Sequence, residues 1–492
     1  MRVLRGTLLL LLACFAAAPL HANDLSDDLA ARRSRLMARV GPDTMVVLFS
    51  APTRVYSGDV NYEYHQDPNL YYLTGLDQEE TVLVLMPGNV NTREVLFIKD
   101  RNPDREHWTG PLLSRDEARE RTGISTVLNA SAFENFIGAV LGRRPYGTTL
   151  DEAEAGGYFA ALGAGRARLA VVLGDNSPDD QPSPAQLFLR KVRDRSVGFV
   201  PVDVTREVYS LRQVKTPHEL QTLTRATDIS VHGQLAGMRA AKPGAFEYQV
   251  KAAIEAVYRA EGADSWAYPS IVGSGPNATI LHYPQDARQM QAGDLLLVDA
   301  AANYGYQASD ITRTYPVSGT FTAPQRDIYE SVLRAQSEAI AVAKPGATLT
   351  TIHNRTIEVL KEELLKRGLI TDASGQQYAM WYTHGTSHFI GLDVHDVGSR
   401  TDVLQPGMTF TIEPGLYIRQ SVLDALPKTP ANLELIAKIQ PAVTKYNNIG
   451  VRVEDSFVME AGGVRNLSSA VPKSIAEIEA LMRSARTGAG AK

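Results

Sequence analysis

The run Leu295-Leu296-Leu297-Val298-Asp299, followed beyond Asn303-Tyr304-Gly305-Tyr306 by Asp310-Ile311-Thr312-Arg313-Thr314-Tyr315, decides how this chain is built. The first run is apolar and ends on a carboxylate. The second opens on a carboxylate and reads as a strand. Glycine between them is the residue a tight hairpin turn favours. If the turn centres on Tyr304-Gly305, Asp299 falls directly opposite Asp310, with Cβ atoms about 4.5–5.5 Å apart. Like charges so placed destabilise a sheet unless a cation lies between them. The hairpin therefore predicts a metal site.

Three later stretches supply matching donors. His388 stands in His384-Gly385-Thr386-Ser387-His388. Glu413 closes Met408-Thr409-Phe410-Thr411-Ile412-Glu413 and is followed by the strand-breaking Pro414-Gly415. Glu454 lies in Gly450-Val451-Arg452-Val453-Glu454-Asp455, where apolar and polar residues alternate at period two. One imidazole and four carboxylates form a hard, oxygen-rich set, suited to Mn²⁺ or a similar divalent ion rather than to a thiolate-rich structural zinc. Five protein ligands exceed what one catalytic ion takes, so two divalent ions bridged by carboxylates are expected.

Taken in order, these stretches resemble the pita-bread-fold metallopeptidases, specifically the Xaa-Pro group of aminopeptidase P and prolidase. The matching segments are Val298-Asp299-Ala300 with Ala308-Ser309-Asp310-Ile311-Thr312-Arg313-Thr314, and His384 to His388 leading into Gly391-Leu392-Asp393-Val394-His395-Asp396. They continue with Ile412-Glu413-Pro414-Gly415 and Gly450 to Asp455. The likeness is firm from about residue 206 to the C-terminus and looser upstream. It implies an α/β protein: an N-terminal α/β domain followed by a C-terminal pseudo-twofold pita-bread catalytic domain. It implies that Asp299 and Asp310 take one metal ion and His388 and Glu413 the other, with Asp310 and Glu454 bridging. A water activated between the ions then attacks the scissile carbonyl, with Glu413 as proton acceptor.

By the same resemblance, His282 and His395 steady the developing gem-diolate or relay a proton to the leaving proline nitrogen. His384 and Arg452 face the residues after the scissile bond, Arg452 also being able to steady Glu454 or a substrate carboxylate. The implied substrates are peptides with proline in the second position. An X–Pro bond lacks the N–H that most peptidases exploit. Thr386 stands where the family usually has leucine, and residues Gln420 to Asn448 form a longer connection than in compact bacterial relatives. Both are expected to reshape the pocket wall and thereby the preferred substrate length.

Composition lies in the ordinary globular range: 492 residues, 44% hydrophobic and 21% charged, enough for more than one domain. Met1-Arg2-Val3-Leu4-Arg5, the apolar run Leu8 to Ala18, and Leu20-His21-Ala22 read in order as a secretory signal peptide over residues 1–22, too short for a stable membrane span. Export to the periplasm or the medium is expected. Cys14 is the only cysteine, and Leu12-Ala13-Cys14 faintly resembles a lipoprotein box; cleavage near Ala22 is favoured because the apolar run continues past it. The mature chain then has no disulfide. Without Arg2 and Arg5, 48 basic residues face 55 acidic ones, and no basic stripe suggests nucleic acid or anionic membrane as a partner. Homo-oligomerisation is left open.

Residues 23–205 alternate strand-like and helical stretches. Tyr64 to Gly75 resembles a segment of the Xaa-Pro N-terminal domain, its aromatics serving packing, with one edge able to line the site's mouth. Residues 206–492 open on a helix with Thr216 as N-cap, Pro217 in the first turn and Glu219 completing a capping box. Ala241-Lys242-Pro243-Gly244-Ala245 recurs as Ala343-Lys344-Pro345-Gly346-Ala347, 102 residues later, each copy between helical stretches that lead into strands and carboxylates. Two related α/β halves sharing one centre are expected, as is a last helix starting at Ser474 with Glu477 as its capping partner. Gly273-Ser274-Gly275-Pro276-Asn277 fits no phosphate-loop spacing, and Ser387 lacks the Gly-x-Ser-x-Gly context of a serine hydrolase. Besides an Xaa-Pro aminopeptidase, the readings are a dipeptide-only prolidase, a relative hydrolysing another bond, and a peptide-binding protein that has lost catalysis. The complete ligand set weighs against the last.

Overall fold

The computed structural model describes residues 22–175, 177 and 179–486. Cys14 and the segment read as a signal peptide, its final residue aside, lie outside the described residues.

The N-terminal part is a six-stranded mixed sheet ordered 126–129, 94–98, 82–85, 44–49, 167–171 and 199–203. Its strands are Val- and Leu-rich because both faces are covered. Along Thr44–Phe49, Met45 and Val47 enter one core while Val46 and Leu48 enter the other. Helices Phe133–Leu141, Glu152–Gly163 and Pro184–Arg193 close the first face, and Ala22–Val40 with Pro68–Thr74 close the second.

The catalytic part begins as the sequence predicts. Thr216 caps helix Pro217–Ala240 in a reciprocal capping box with Glu219, and Ser474 with Glu477 opens the last helix, Ile475–Arg486. Two helix pairs, Pro217–Ala240 with Glu247–Ala260 and Ala323–Val342 with Leu349–Lys366, each precede antiparallel strands. The repeated Lys-Pro-Gly-Ala turns superpose in their bonding as well as in sequence. Gly244 and Gly346 take φ of +86° and +90°, which glycine alone adopts without strain. Their N–H groups donate to Met290 O (2.8 Å) and Leu404 O (3.1 Å), and Ala245 O and Ala347 O accept from Met290 and Leu404 N–H, both at 2.8 Å. The same clasp is thus built twice, as a pseudo-twofold pita-bread fold requires.

The hairpin register differs from the sequence expectation. Asn303 pairs with Ala308 and Tyr304 with Gln307, so the turn centres on Gly305-Tyr306. Asp299 consequently pairs with Thr312, and Asp310 is its diagonal rather than its direct neighbour. A two-residue type I′ turn requires positive φ at both central positions, and Gly305 (+55°) and Tyr306 (+64°) provide it. Tyrosine tolerates this because the N-terminal domain holds its ring: Tyr306 stacks on Tyr71 at 3.8 Å and His65 at 4.8 Å, and its hydroxyl accepts from Gln66 N–H.

The two expectations for the pocket wall are also corrected. Residues 420–448 form helices Gln420–Asp424 and Pro430–Tyr446, which bury Ile439 and Val443 in the main core and line none of the cavities at the site. Thr386 is 1% exposed and takes no part in the wall; its hydroxyl bonds Tyr382 Oη at 2.6 Å and His353 Nδ1 at 2.9 Å.

Candidate metal centre

Strand pairing in the second half sets two glutamates face to face. Ile412 pairs with Asp455 and Gly415 with Arg452, so Glu413 and Glu454 fall opposite one another where the two ladders meet. Period two puts Asp310, Thr312 and Thr314 on the strand face that meets this pair. Thr312 Oγ1 donates to Glu454 Oε2 at 2.6 Å, and Thr314 Oγ1 donates to Arg452 O at 3.0 Å. Glu413 and Glu454 thereby come to the same point as Asp299 and Asp310.

His388 completes the set. Its Nε2 lies 3.3 Å from Asp310 Oδ2, 3.5 Å from Glu413 Oε1 and 4.0 Å from Glu454 Oε1. Its Nδ1 lies 3.1 Å from Phe389 O, which selects the tautomer with Nδ1 protonated and leaves the Nε2 lone pair facing the carboxylates. Among the described residues, Asp310, His388 and Glu454 offer ligand atoms all within 4.8 Å of one another. Glu454 Oε1 is buried with no hydrogen-bond partner, an arrangement too costly to keep unless another group satisfies it. Burial and neighbouring carboxylates hold the Asp310, Glu413 and Glu454 carboxyls well above their usual range; for Asp310 the neighbour is Asp299, for Glu413 it is Glu454, and for Glu454 it is chiefly Asp310. Converging acids, a bare imidazole nitrogen and an orphaned oxygen fit divalent cations.

Asp299 is committed differently. Its Oδ2 accepts from Arg452 Nη2 at 2.5 Å, and the Tyr268 hydroxyl lies 2.5 Å from its Oδ1 and 2.6 Å from Asp310 Oδ1. The buried Arg452 also donates to Tyr417 Oη (2.8 Å) and Thr312 Oγ1 (3.1 Å). Its guanidinium therefore steadies Asp299, whereas sequence reasoning offered Glu454 or a substrate carboxylate. His384 is held between Gly385 O (2.7 Å) and Tyr417 Oη (2.9 Å), with Nδ1 3.7 Å from Glu413 Oε2. Burial first, then Arg452, brings its imidazole down to about 3. His395 stands edge-on to His388 at 4.3 Å between ring centres, and burial with the adjacent His388 lowers it to about 4. Both are neutral at pH 7.

The structure gathers Asp299, Asp310, His388, Glu413 and Glu454 with His282, His384, His395 and Arg452 around one cavity of about 420 Å³. A second cavity of about 360 Å³ shares Asp299, Asp310, His282 and His395 and is floored by Tyr268 and Ile271. A third, about 960 Å³, runs from His395 to Tyr64, His65 and Tyr71 of the N-terminal domain. Tyr268, Tyr417 and Thr312 were not singled out from sequence. Thr312 shares Asp310's strand face by alternation and was findable; Tyr268 and Tyr417 carry no such periodic signal.

A buried charge cluster anchors the loop that bears His395. Arg212, at the end of helix Thr205–Arg212, donates to Asp396 Oδ1 (2.6 Å), Asp393 Oδ2 (2.8 Å) and Asn69 Oδ1 of the N-terminal domain (2.7 Å), while Lys215 Nζ meets Asp396 Oδ2 at 2.5 Å.

Comparison with known proteins follows the same division. Residues 221–461 match the model of metallopeptidase family M24, and residues 29–148 that of the aminopeptidase P N-terminal domain. The Xaa-Pro aminopeptidase of Escherichia coli (strain K12) is 32% identical over 466 residues, 92% of this chain and 97% of that protein. Xaa-Pro aminopeptidase 3 of Homo sapiens is 31% identical over 474 residues, 92% of this chain and 84% of that protein. The solved structure of Pseudomonas aeruginosa aminopeptidase PepP superposes with a TM-score of 0.79 at 32% identity, covering 94% of this chain and 99% of that one. The low-pH form of E. coli aminopeptidase P gives the same score, identity and coverage.

Proposed function

The chain belongs to metallopeptidase family M24, and on that premise we propose that it is an exported Xaa-Pro aminopeptidase using two divalent metal ions, with Mn²⁺ as the native metal. The observation that carries this reading is the convergence of five metal-ligating side chains with three further histidines on one cavity, in a chain matching E. coli Xaa-Pro aminopeptidase along nearly its whole length.

Asp299, Asp310, His388, Glu413 and Glu454 would hold the ions. When bound, they supply Lewis acidity toward the scissile carbonyl and lower the pKa of water. The rest is performed by the chain. Glu413 lies between His388 and His384 and takes the proton from water. His282 and His395 line the same cavity and relay a proton to the leaving proline nitrogen or hydrogen-bond the developing oxyanion. Arg452 and Tyr268 hold Asp299 in place. The N-terminal domain walls one side of the cavity system through Tyr64, His65 and Tyr71, which suits a substrate whose free amine ends close to the scissile bond, and the long connection 420–448 stays clear of it.

The deciding experiment compares Xaa-Pro-Yaa and longer peptides with Xaa-Pro dipeptides. Release of the first residue from the longer series, with dipeptides poorer, is expected. Rapid cleavage of dipeptides alone would make the protein a prolidase, and inactivity on both would refute peptidase function. Export rests on the order of basic, apolar and small residues over 1–22; N-terminal sequencing should find Asn23 first, and a lipid-modified Cys14 would overturn it.

A further inference from the structure

Two glutamines outside the ligand set occupy equivalent positions in the two halves. Gln234 lies on helix Pro217–Ala240 and Gln336 on helix Ala323–Val342, with the same spacing as the repeated turns, and both are fully buried. Gln234 Nε2 donates to Ala300 O at 3.0 Å and Ile311 O at 2.8 Å. Gln336 Nε2 donates to Ile412 O at 3.1 Å and Val453 O at 3.2 Å. Each of the four carbonyls belongs to the residue adjacent to a carboxylate ligand: Asp299, Asp310, Glu413 and Glu454.

We propose that Gln234 and Gln336 are paired positioning residues, each using one amide to set the separation of two ligand-bearing strands where their ladders end at Asp299–Thr312 and Ile412–Asp455. The inference rests on the metallopeptidase reading only in taking the four carboxylates as metal ligands. The amide orientation is fixed by chemistry: turning either group would point oxygen at two carbonyl oxygens. At Gln336, Lys473 Nζ donates to Oε1 (3.1 Å) and Asp455 Oδ2 accepts from Nε2 (3.1 Å). At Gln234, Oε1 is buried without a partner. An oxygen kept at that cost shows that the amide's value lies in its donors.

That asymmetry separates a positioning role from a packing role. Wild type, Gln234→Met and Gln336→Met are stripped of metal with a chelator, titrated calorimetrically with Mn²⁺ alone, and melted metal-free. Methionine keeps the volume and removes both donors. Each variant should bind Mn²⁺ about tenfold to a hundredfold more weakly. Gln234→Met removes the orphaned oxygen but leaves Ala300 O without its donor in exchange, while Ile311 O keeps the Ala300 N–H, so it should melt metal-free close to the wild-type temperature. A Gln234→Met isotherm that superposes on wild type overturns the proposal whatever the melting temperature. If Gln336→Met does not fold, the Gln234→Met isotherm decides alone. No peptide enters the measurement, so failure of the Xaa-Pro assignment is visible separately, and a wild type that takes up no Mn²⁺ refutes the metal reading itself.

Discussion

The two halves of the catalytic domain share a frame and divide the chemistry unequally. In the first half, a two-residue turn joins the strands that carry Asp299 and Asp310, the aspartates sit diagonally, and the Tyr268 hydroxyl joins them. In the second, Glu413 and Glu454 face each other across a wider connection, and the loop from His384 to Asp396 adds every histidine of the site except His282. Symmetry thus sets where backbones end. Side-chain length and loop content decide what each end does. The halves are also tied by buried ion pairs in both directions: Arg452 of the second half meets Asp299 of the first at 2.5 Å, and Arg313 of the first meets Asp455 of the second at 2.6 Å, both completely buried, with Lys473 on the other carboxylate oxygen.

Exchanging Glu413, the proposed proton acceptor, should break the comparison most severely. Glu413→Gln keeps the shape of the second-half ligand and removes its basicity, and kcat on an Xaa-Pro-Yaa peptide should fall about a hundredfold to ten-thousandfold. A fall of only a few-fold would mean that the halves are chemically interchangeable.

Next in size is the cross-half pair of Arg313 and Asp455. Asp455→Asn leaves the buried Arg313 guanidinium without its partner charge, which should cost about 3–5 kcal/mol in denaturant unfolding. Burial alone would raise the Asp455 carboxyl, but Arg313 and Lys473 outweigh it and hold it low.

Asp396 tests the anchored loop by pH. Lys215 and Arg212 overcome the effect of burial and keep its carboxyl below the usual range. A depressed folded value means that this stability is present in full above the unfolded carboxylate value near 3.9 and is lost as pH falls through the folded value. The stability difference between wild type and Asp396→Asn should therefore be widest near neutrality and narrow below about pH 4. A gap that does not change with pH would show that the loop is held by packing.

The smallest effect is expected at Thr386. Thr386→Val removes the hydroxyl between Tyr382 and His353, which should cost about 1–3 kcal/mol of stability while kcat/KM stays within a few-fold, because the side chain does not reach the cavity.

Much of the acid cluster was legible because Asp299, Asp310, Glu413 and Glu454 lie at or beside strand ends, where alternation and strand-breaking residues are visible in sequence. The repeated Lys-Pro-Gly-Ala turn likewise disclosed the duplicated frame. Register was not legible: whether the turn centres on Tyr304-Gly305 or Gly305-Tyr306 depends on Tyr71 and His65, far upstream, stabilising a positive φ at Tyr306. The role of Arg452 was open for a related reason, since its choice of Asp299 over Glu454 is made across elements. Gln234 and Gln336 were within reach, as identical residues at the repeat spacing, but a buried amide on a helix does not announce which backbone it will meet.

The Tyr306 contact has a consequence for the order in which the molecule is made. Translation delivers domains from the N-terminus, and they fold as units while synthesis continues. Synthesis and export alike deliver the N-terminus first, so the segment that forms the His65 and Tyr71 platform is available before residue 306 arrives. The hairpin that presents Asp299 and Asp310 closes against a segment already delivered, so the first domain acts as a template for the turn. A catalytic domain made without it would have to form the same left-handed tyrosine turn unaided, and slippage of one strand by a single residue would carry its aspartate to the opposite face from the other.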